Sequence, residues 1–191
     1  PPNFRGSCFR AMTETMLWAK KNFDGITKFN YFALKKLNRG TQMNNIWEYW
    51  AEKNPFRHPA TKQQIILEYA IIAGSNTGDL ILDPFAGSGA IGGARKNYPY
   101  KEIISEDRTT GFDATNMTKI TDQSIDKIIT DPPWGIDVGK DLNLLIFYQE
   151  MLTEFYRVLK PGGIAIVLMG NKEVFEKALE EFSSKFKLEK K

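Results

Sequence analysis

Residues 79–89 read DLILDPFAGSG, and the class of fold follows from that stretch. Residues 79–82 predict a short buried strand, because a run of apolar side chains goes straight into a glycine turn. The turn, Gly87-Ser88-Gly89, opens a helix expected over residues 90–97. Gly87 and Gly89 allow a backbone to approach a ligand closely, and the amino end of the helix offers free N–H groups. A glycine turn by itself serves many nucleotide sites. Asp83 narrows the reading, since a carboxylate at a buried strand tip needs a cationic or N–H partner.

Outward from this stretch, helices and strands alternate. Residues 61–73 (TKQQIILEYAIIA) place apolar side chains at helical spacing and stop at Gly74. Strands are predicted over residues 102–105 and 125–130, followed by a long amphipathic helix over 144–159. Lys160-Pro161-Gly162-Gly163 forbids its continuation. The unbroken apolar run 164–169 (IAIVLM) is a strand covered on both faces. A closing helix over 172–184 and a strand from 186 to 188 finish the chain. Residues 13–21 (TETMLWAKK) also read as a strand, with Met16 and Trp18 alternating against Thr15 and Leu17. Residues 22–55 are irregular apart from a helical pattern around Phe32, Leu34 and Leu37, and form an elaboration on one domain spanning 1–191. The alternation predicts an α/β fold, a mostly parallel sheet with helices on both faces, binding ligands at the carboxyl ends of its strands.

A second motif sits after the strand 125–130: Asp131-Pro132-Pro133-Trp134. The prolines stiffen the backbone and remove N–H donors, leaving carbonyl acceptors available. An exocyclic amine is a poor nucleophile because its lone pair is delocalised into the ring. Acceptors from Asp131 and the Pro132 carbonyl would grip its N–H bonds and localise that pair, while Trp134 offers a flat surface for a flipped base.

Composition limits the remaining options. The net charge is +3, from 26 Lys and Arg against 23 Asp and Glu, so attraction to phosphate must come from local clusters. Arg5, Arg10, Lys20, Lys21, Lys28, Lys35, Lys36, Arg39, Lys53 and Arg57 are interleaved with Phe4, Phe9, Trp18, Phe23, Phe29, Tyr31 and Phe32, a mixture that suits neutralising and stacking a nucleic-acid strand. A solvated surface over an aromatic core has the same composition. One cysteine, Cys8, and one histidine, His58, exclude an internal disulfide and argue against a Cys/His metal centre. No apolar run is long enough to span a bilayer and no signal sequence is visible, so the expected setting is cytoplasmic.

DPFAGSG followed by DPPW resembles the cofactor and catalytic motifs of S-adenosylmethionine-dependent DNA amino methyltransferases of the adenine-N6 type. The resemblance takes in nearly the whole chain, including RHPATKQQIILEYAIIAG, TETMLWAKK and FNYFALKKLNRGTQMNNIW. It implies a Rossmann-like methyltransferase fold with an antiparallel edge strand, and DNA methylation of the restriction-modification kind. S-adenosyl-L-methionine is then held by Asp83, Pro84, Phe85, Ala86, Gly87, Ser88 and Gly89, with His58, Pro59, Thr61 and Lys62 closing over its methionine end. Asp131, Pro132, Pro133 and Trp134 take the base. Glu106 or Asp107 is assigned to the ribose hydroxyls and Asp113 to the adenine edge. No metal is implied, and the partners are DNA, single-stranded or with a flipped base, and a second protein subunit.

The sequence departs from the family in three places. No room remains for a helix between Asp107 and Gly111. HPATKQ lacks the family's second proline. The DPPW segment follows the glycine turn instead of preceding it, which implies a circular permutation with residues 13–21 in the same sheet as the strand after Gly163. DPPWGIDVG also resembles tRNA guanine-N2 methyltransferases, and a catalytically silent methyltransferase-like subunit is a third reading.

Overall fold

The computed structural model describes residues 14–22, 29–48, 64–87, 89, 102–136 and 138–189. Its strands are β1 (Thr15–Lys21), β2 (Leu80–Asp83), β3 (Glu102–Ser105), β4 (Ile125–Thr130), β5 (Leu159–Met169) and β6 (Phe186–Glu189). The helices are α1 (Tyr31–Leu37), α2 (Gln64–Gly74), α3 (Leu144–Val158) and α4 (Lys172–Glu180), with a short 3-10 turn at Arg108–Thr110. The helix expected over residues 90–97 lies outside the described residues.

The strands form one sheet of order β3-β2-β4-β5-β1-β6. β3, β2, β4 and β5 run parallel. β1 runs against both of its neighbours, pairing Thr15 with Met169 of β5 and Lys21 with Phe186 of β6. The antiparallel part therefore lies at one edge of the sheet, and the reversed strand is second from that edge. β1 shares a sheet with the strand after Gly163, and the end of β6 lies beside the middle of β1, with Glu189 opposite Trp18.

Both faces are covered, because successive strand residues point to opposite sides. On one side Ile81, Ile129, Ile164 and Ile166 pack with Leu67, Ala70, Ile71 and Ala73 of α2 and Leu34 of α1. On the other, Leu82, Ile128, Ala165 and Val167 pack with Phe147, Tyr148, Met151 and Phe155 of α3 and Phe175 of α4. The helices put against these faces supply the second and third layers of the domain.

One burial pattern and two boundaries differ from the sequence reading. The alternation in β1 is no sign of a wet face: Leu17 to Lys21 are all buried, since β1 is an inner strand. The apolar strand begins at Leu159 rather than Ile164, as the helix stops at Val158 and residues 160–163 form an irregularity inside β5. Left-handed Gly162 (φ 77°) turns the chain there, and pairing with β4 resumes at Lys127–Ile164. The closing helix ends at Glu180, and the residues up to Lys185 are turns. Among the described residues no helix is long and apolar enough to cross a membrane.

Buried Lys21 explains how β1 tolerates a cation at its end. Its Nζ donates to the carbonyl oxygens of Tyr156 (2.5 Å) and Leu159 (2.6 Å) and lies 4.3 Å from the Tyr156 ring centroid. The ammonium thereby satisfies carbonyls at the carboxyl end of α3, although burial holds its pKa below the usual value. Lys21→Met keeps the stem and removes the donors, so it should lower the unfolding free energy by about 1–3 kcal/mol. Urea denaturation measures this, and an unchanged midpoint would show that solvent already satisfies those carbonyls.

Candidate active site

The two motifs come together because their strands are neighbours. β2 and β4 pair in parallel, with Leu82 opposite Ile128, so Asp83 and Thr130 leave the sheet at adjacent carboxyl ends. The Thr130 hydroxyl donates to Asp83 Oδ1 at 2.7 Å, and the Phe85 amide donates to the same oxygen at 3.2 Å. Asp83 thus has the N–H partner its position demanded. Burial pushes its carboxyl up to about 7, the bonds from Thr130 and Phe85 partly offset this, and the charges of Asp131 and Asp107 add to the rise.

The glycine turn is fastened to the end of β3. Glu106 N donates to Asp83 O, Ala86 N to Glu106 O, and Gly87 N to Asp107 Oδ2 at 3.1 Å. Gly87 and Gly89 both have left-handed backbones, at φ 50° and 76°. A Cβ on Gly89 would meet nothing among the described residues within 4 Å.

Glu106 and Asp107 have distinct roles. Asp107 Oδ1 accepts from Thr109 N (2.7 Å) and Thr109 Oγ1 (2.5 Å), while its other oxygen takes Gly87 N. These bonds hold its pKa below the usual value and make it the cap of the 3-10 turn Arg108–Thr110. That turn occupies the place where the sequence left no room for a helix. Among the described residues no side-chain bond engages Glu106. Asp113 Oδ1 likewise accepts from Thr115 N and Oγ1, closing its own loop and lowering its pKa.

At the tip of β4, Pro132 is buried and Asp131, Pro133 and Trp134 are half-buried. Tyr148 of α3 donates to the Pro133 carbonyl at 2.6 Å, which fixes the proline pair from below. Burial, with Asp131 nearby, raises the Tyr148 hydroxyl to about 12, so it stays a donor. The structure thus brings together Asp83 to Gly87 and Gly89, Glu106, Asp107 and Asp131 to Trp134. His58, Pro59, Thr61, Lys62 and Ser88 lie outside the described residues. Tyr148 went unnoticed in the sequence, while Thr130, which opens the Asp-Pro-Pro-Trp constellation there, was given no role of its own. Thr130 ends a strand just before the Asp-Pro-Pro run and its role could have been found there, whereas Tyr148 looks like any aromatic on an amphipathic helix.

A profile of the DNA methylase family matches residues 1–108, and a profile of the RMKL-like methyltransferase domain matches residues 91–191. The chain belongs to the DNA methylase family. The chain is 42% identical over 100 residues to the type II methyltransferase M2.DpnII of Streptococcus pneumoniae, a match covering 48% of this chain and 36% of that protein. It is 40% identical over 112 residues to the type II methyltransferase M2.LlaDCHI of Lactococcus lactis subsp. cremoris, covering 53% and 40%. M2.MboI of Moraxella bovis, also a type II methyltransferase, is 40% identical over 96 residues, covering 48% and 35%. The matches of this methylase thus span well under half the length of those relatives. Among solved structures, TrmN from Thermus thermophilus aligns with a TM-score of 0.49 at 21% identity, over 60% of this chain and 40% of that one.

Asp83 gives the methylase a pH signature. Its folded pKa of about 7 lies above the ordinary 3.8, so the folded chain holds this proton more tightly than the unfolded one. The resulting stability is complete below the unfolded value and is lost as pH rises through about 7. Asp83→Asn removes that dependence. In urea titrations across this range, the wild type should lose stability relative to the variant with rising pH, and parallel curves would show an ordinarily ionised carboxylate.

Proposed function

We propose that this methylase transfers a methyl group from S-adenosyl-L-methionine to an exocyclic amino group of a DNA base, adenine N6 first. The observation that carries the reading is the Thr130–Asp83 bond, which sets the glycine cradle and the Asp131–Trp134 run on neighbouring strand tips. The relatives' type II methyltransferase names support it.

The residues present fit the cofactor. The described residues leave space beside the backbone of Gly89, and Glu106 is the carboxylate left for the ribose hydroxyls because Asp107 is consumed by Gly87 and Thr109. Bound there, S-adenosylmethionine supplies an electrophilic methyl on a sulfonium. The chain itself holds the nucleophile. With Pro133's carbonyl engaged by Tyr148, the acceptors offered to the amine are the Asp131 carboxylate and the Pro132 carbonyl. They orient the nitrogen lone pair, and Asp131 receives the proton that the nitrogen sheds as its new bond forms. Alignment of this kind supplies roughly 7–11 kcal/mol of barrier reduction.

On the elaboration of residues 22–55, Lys36 and Arg39 are exposed and Phe32 is 82% exposed, but α1 is tied through Asn30 to Ile72 O and Ser75 O at the carboxyl end of α2, beside the start of β2 and not its tip. So small a recognition segment offers few contacts to offset the cost of flipping a base, which favours single-stranded or distorted DNA and salt-sensitive binding. A guanine N2 in tRNA is the second reading, resting on the likeness of DPPWGIDVG to that RNA family. The deciding experiment is mass spectrometry of nucleosides from single-stranded DNA, duplex DNA and tRNA, each incubated with the protein and isotopically labelled cofactor. Labelled N6-methyladenine is expected, labelled guanine would reassign the substrate, and absence of label would overturn methyl transfer.

Two variants test the roles. Asp131→Ala should bind cofactor normally and lose turnover by at least about 100-fold, and near-normal turnover would place the chemistry elsewhere. Glu106→Gln should weaken cofactor binding by roughly 10-fold or more, whereas Glu106→Gln without effect in calorimetric titration would remove that residue from the pocket.

A further inference from the structure

We propose that Gly170 is a positioning residue for Trp134: its lack of a side chain is what lets the indole sit at the end of β5. The inference rests on the reading of Trp134 as the surface that meets the base. Gly170 follows Met169, the last residue of β5, and β5 pairs with β4 through Thr130 and Val167. The two residues therefore leave the sheet at neighbouring tips. Gly170 is not among the glycines with left-handed backbones, so turn geometry does not demand glycine here. Space does. A Cβ on Gly170 would collide with Cε3 and Cδ2 of Trp134 and lie 2.8 Å from Cζ3, separations that real side chains do not adopt.

The indole has little freedom to yield. Cδ2 is a ring-fusion atom, so it moves only with the whole indole. On one side the backbone is tied by the Tyr148 hydroxyl to the Pro133 carbonyl at 2.6 Å. On the other, Gly135 is left-handed (φ 75°), with its own Cβ position 2.7 Å from Leu144 Cδ1, and its amide donates to Val138 O at 3.0 Å. With the chain held before and after Trp134, a methyl at position 170 must be accommodated by swinging the ring away from the Asp131–Pro133 acceptors. In the sequence, Gly170 reads only as the turn after an apolar strand.

The test is a double-mutant cycle in the full chain: wild type, Gly170→Ala, Trp134→Ala and both together. Three readouts apply: cofactor affinity, KM and kcat for DNA, and the Trp134 part of the fluorescence, obtained by subtracting the matching Trp134→Ala spectrum. Gly170→Ala should keep cofactor affinity within about twofold, raise KM for DNA by at least about tenfold and shift the Trp134 emission. In the Trp134→Ala background the same alanine should cost less than about twofold, because no ring is left to meet the methyl. An equal cost in both backgrounds, or an unchanged Trp134 emission and KM, would overturn the proposal. Unfolding by Gly170→Ala that Trp134→Ala rescues supports it, and unfolding in both backgrounds overturns it. Should the wild type transfer no methyl to any base, the proposed function fails, while the emission comparison still decides whether Gly170 seats the indole.

Discussion

The hydrogen bond from Thr130 to Asp83, 2.7 Å long and buried, holds together what the chain keeps far apart. One end belongs to the strand before the glycine turn, the other to the strand before the Asp-Pro-Pro-Trp run. Asp83 also ties the start of the turn through Phe85 N and, through its carbonyl, the Glu106 backbone. A carboxylate placed where water is excluded cannot remain without donors. The fold meets this need by drawing three strand tips, β2, β3 and β4, to one point. The glycine turn and the Asp131–Trp134 run inherit their separation from that point.

Around it, side-chain bonds divide the acidic groups by task. Asp107 and Asp113 spend their oxygens on neighbouring Thr109 and Thr115 and on Gly87, so they shape backbone. Glu106 and Asp131 stand at the same end of the sheet in other surroundings. Sequence position alone does not separate these groups, since Glu106 and Asp107 are adjacent. The separation comes from the 3-10 turn Arg108–Thr110, which needs a cap and takes Asp107 for it.

Strands with a single plausible reading were legible from the residues. β3 and β4 fall where the apolar pattern put them, between polar turns, and the Asp-Pro-Pro-Trp run lies directly after β4. β1 was found but its surroundings were not: Lys20, Lys21 and Trp18 were counted in a cluster for nucleic acid, and all three are buried. The structure hides Lys21 by letting it cap α3, a long-range contact with no local trace. The start of β5 was misplaced for a local reason: Pro161 and Gly162 break a helix, but they also fit an irregularity within a strand. Tyr148 and Gly170 act through contacts across the sheet tips, so their spacing along the chain carries no signal.

The place of β1 also bears on how the sheet is assembled. The first described strand hydrogen-bonds only to the last two, pairing Thr15 with Met169 and Trp18 with Glu189. During synthesis, Leu17 and Trp18 leave the ribosome long before either partner exists, so this hydrophobic strand must wait unpaired while the parallel core forms. Contacts of such long sequence separation close slowly, and a waiting strand is open to pairing with other chains. The step that completes the sheet is thus the arrival of β5 and β6 on either side of β1, and a chaperone that shields β1 until then would act on folding yield without touching the candidate site.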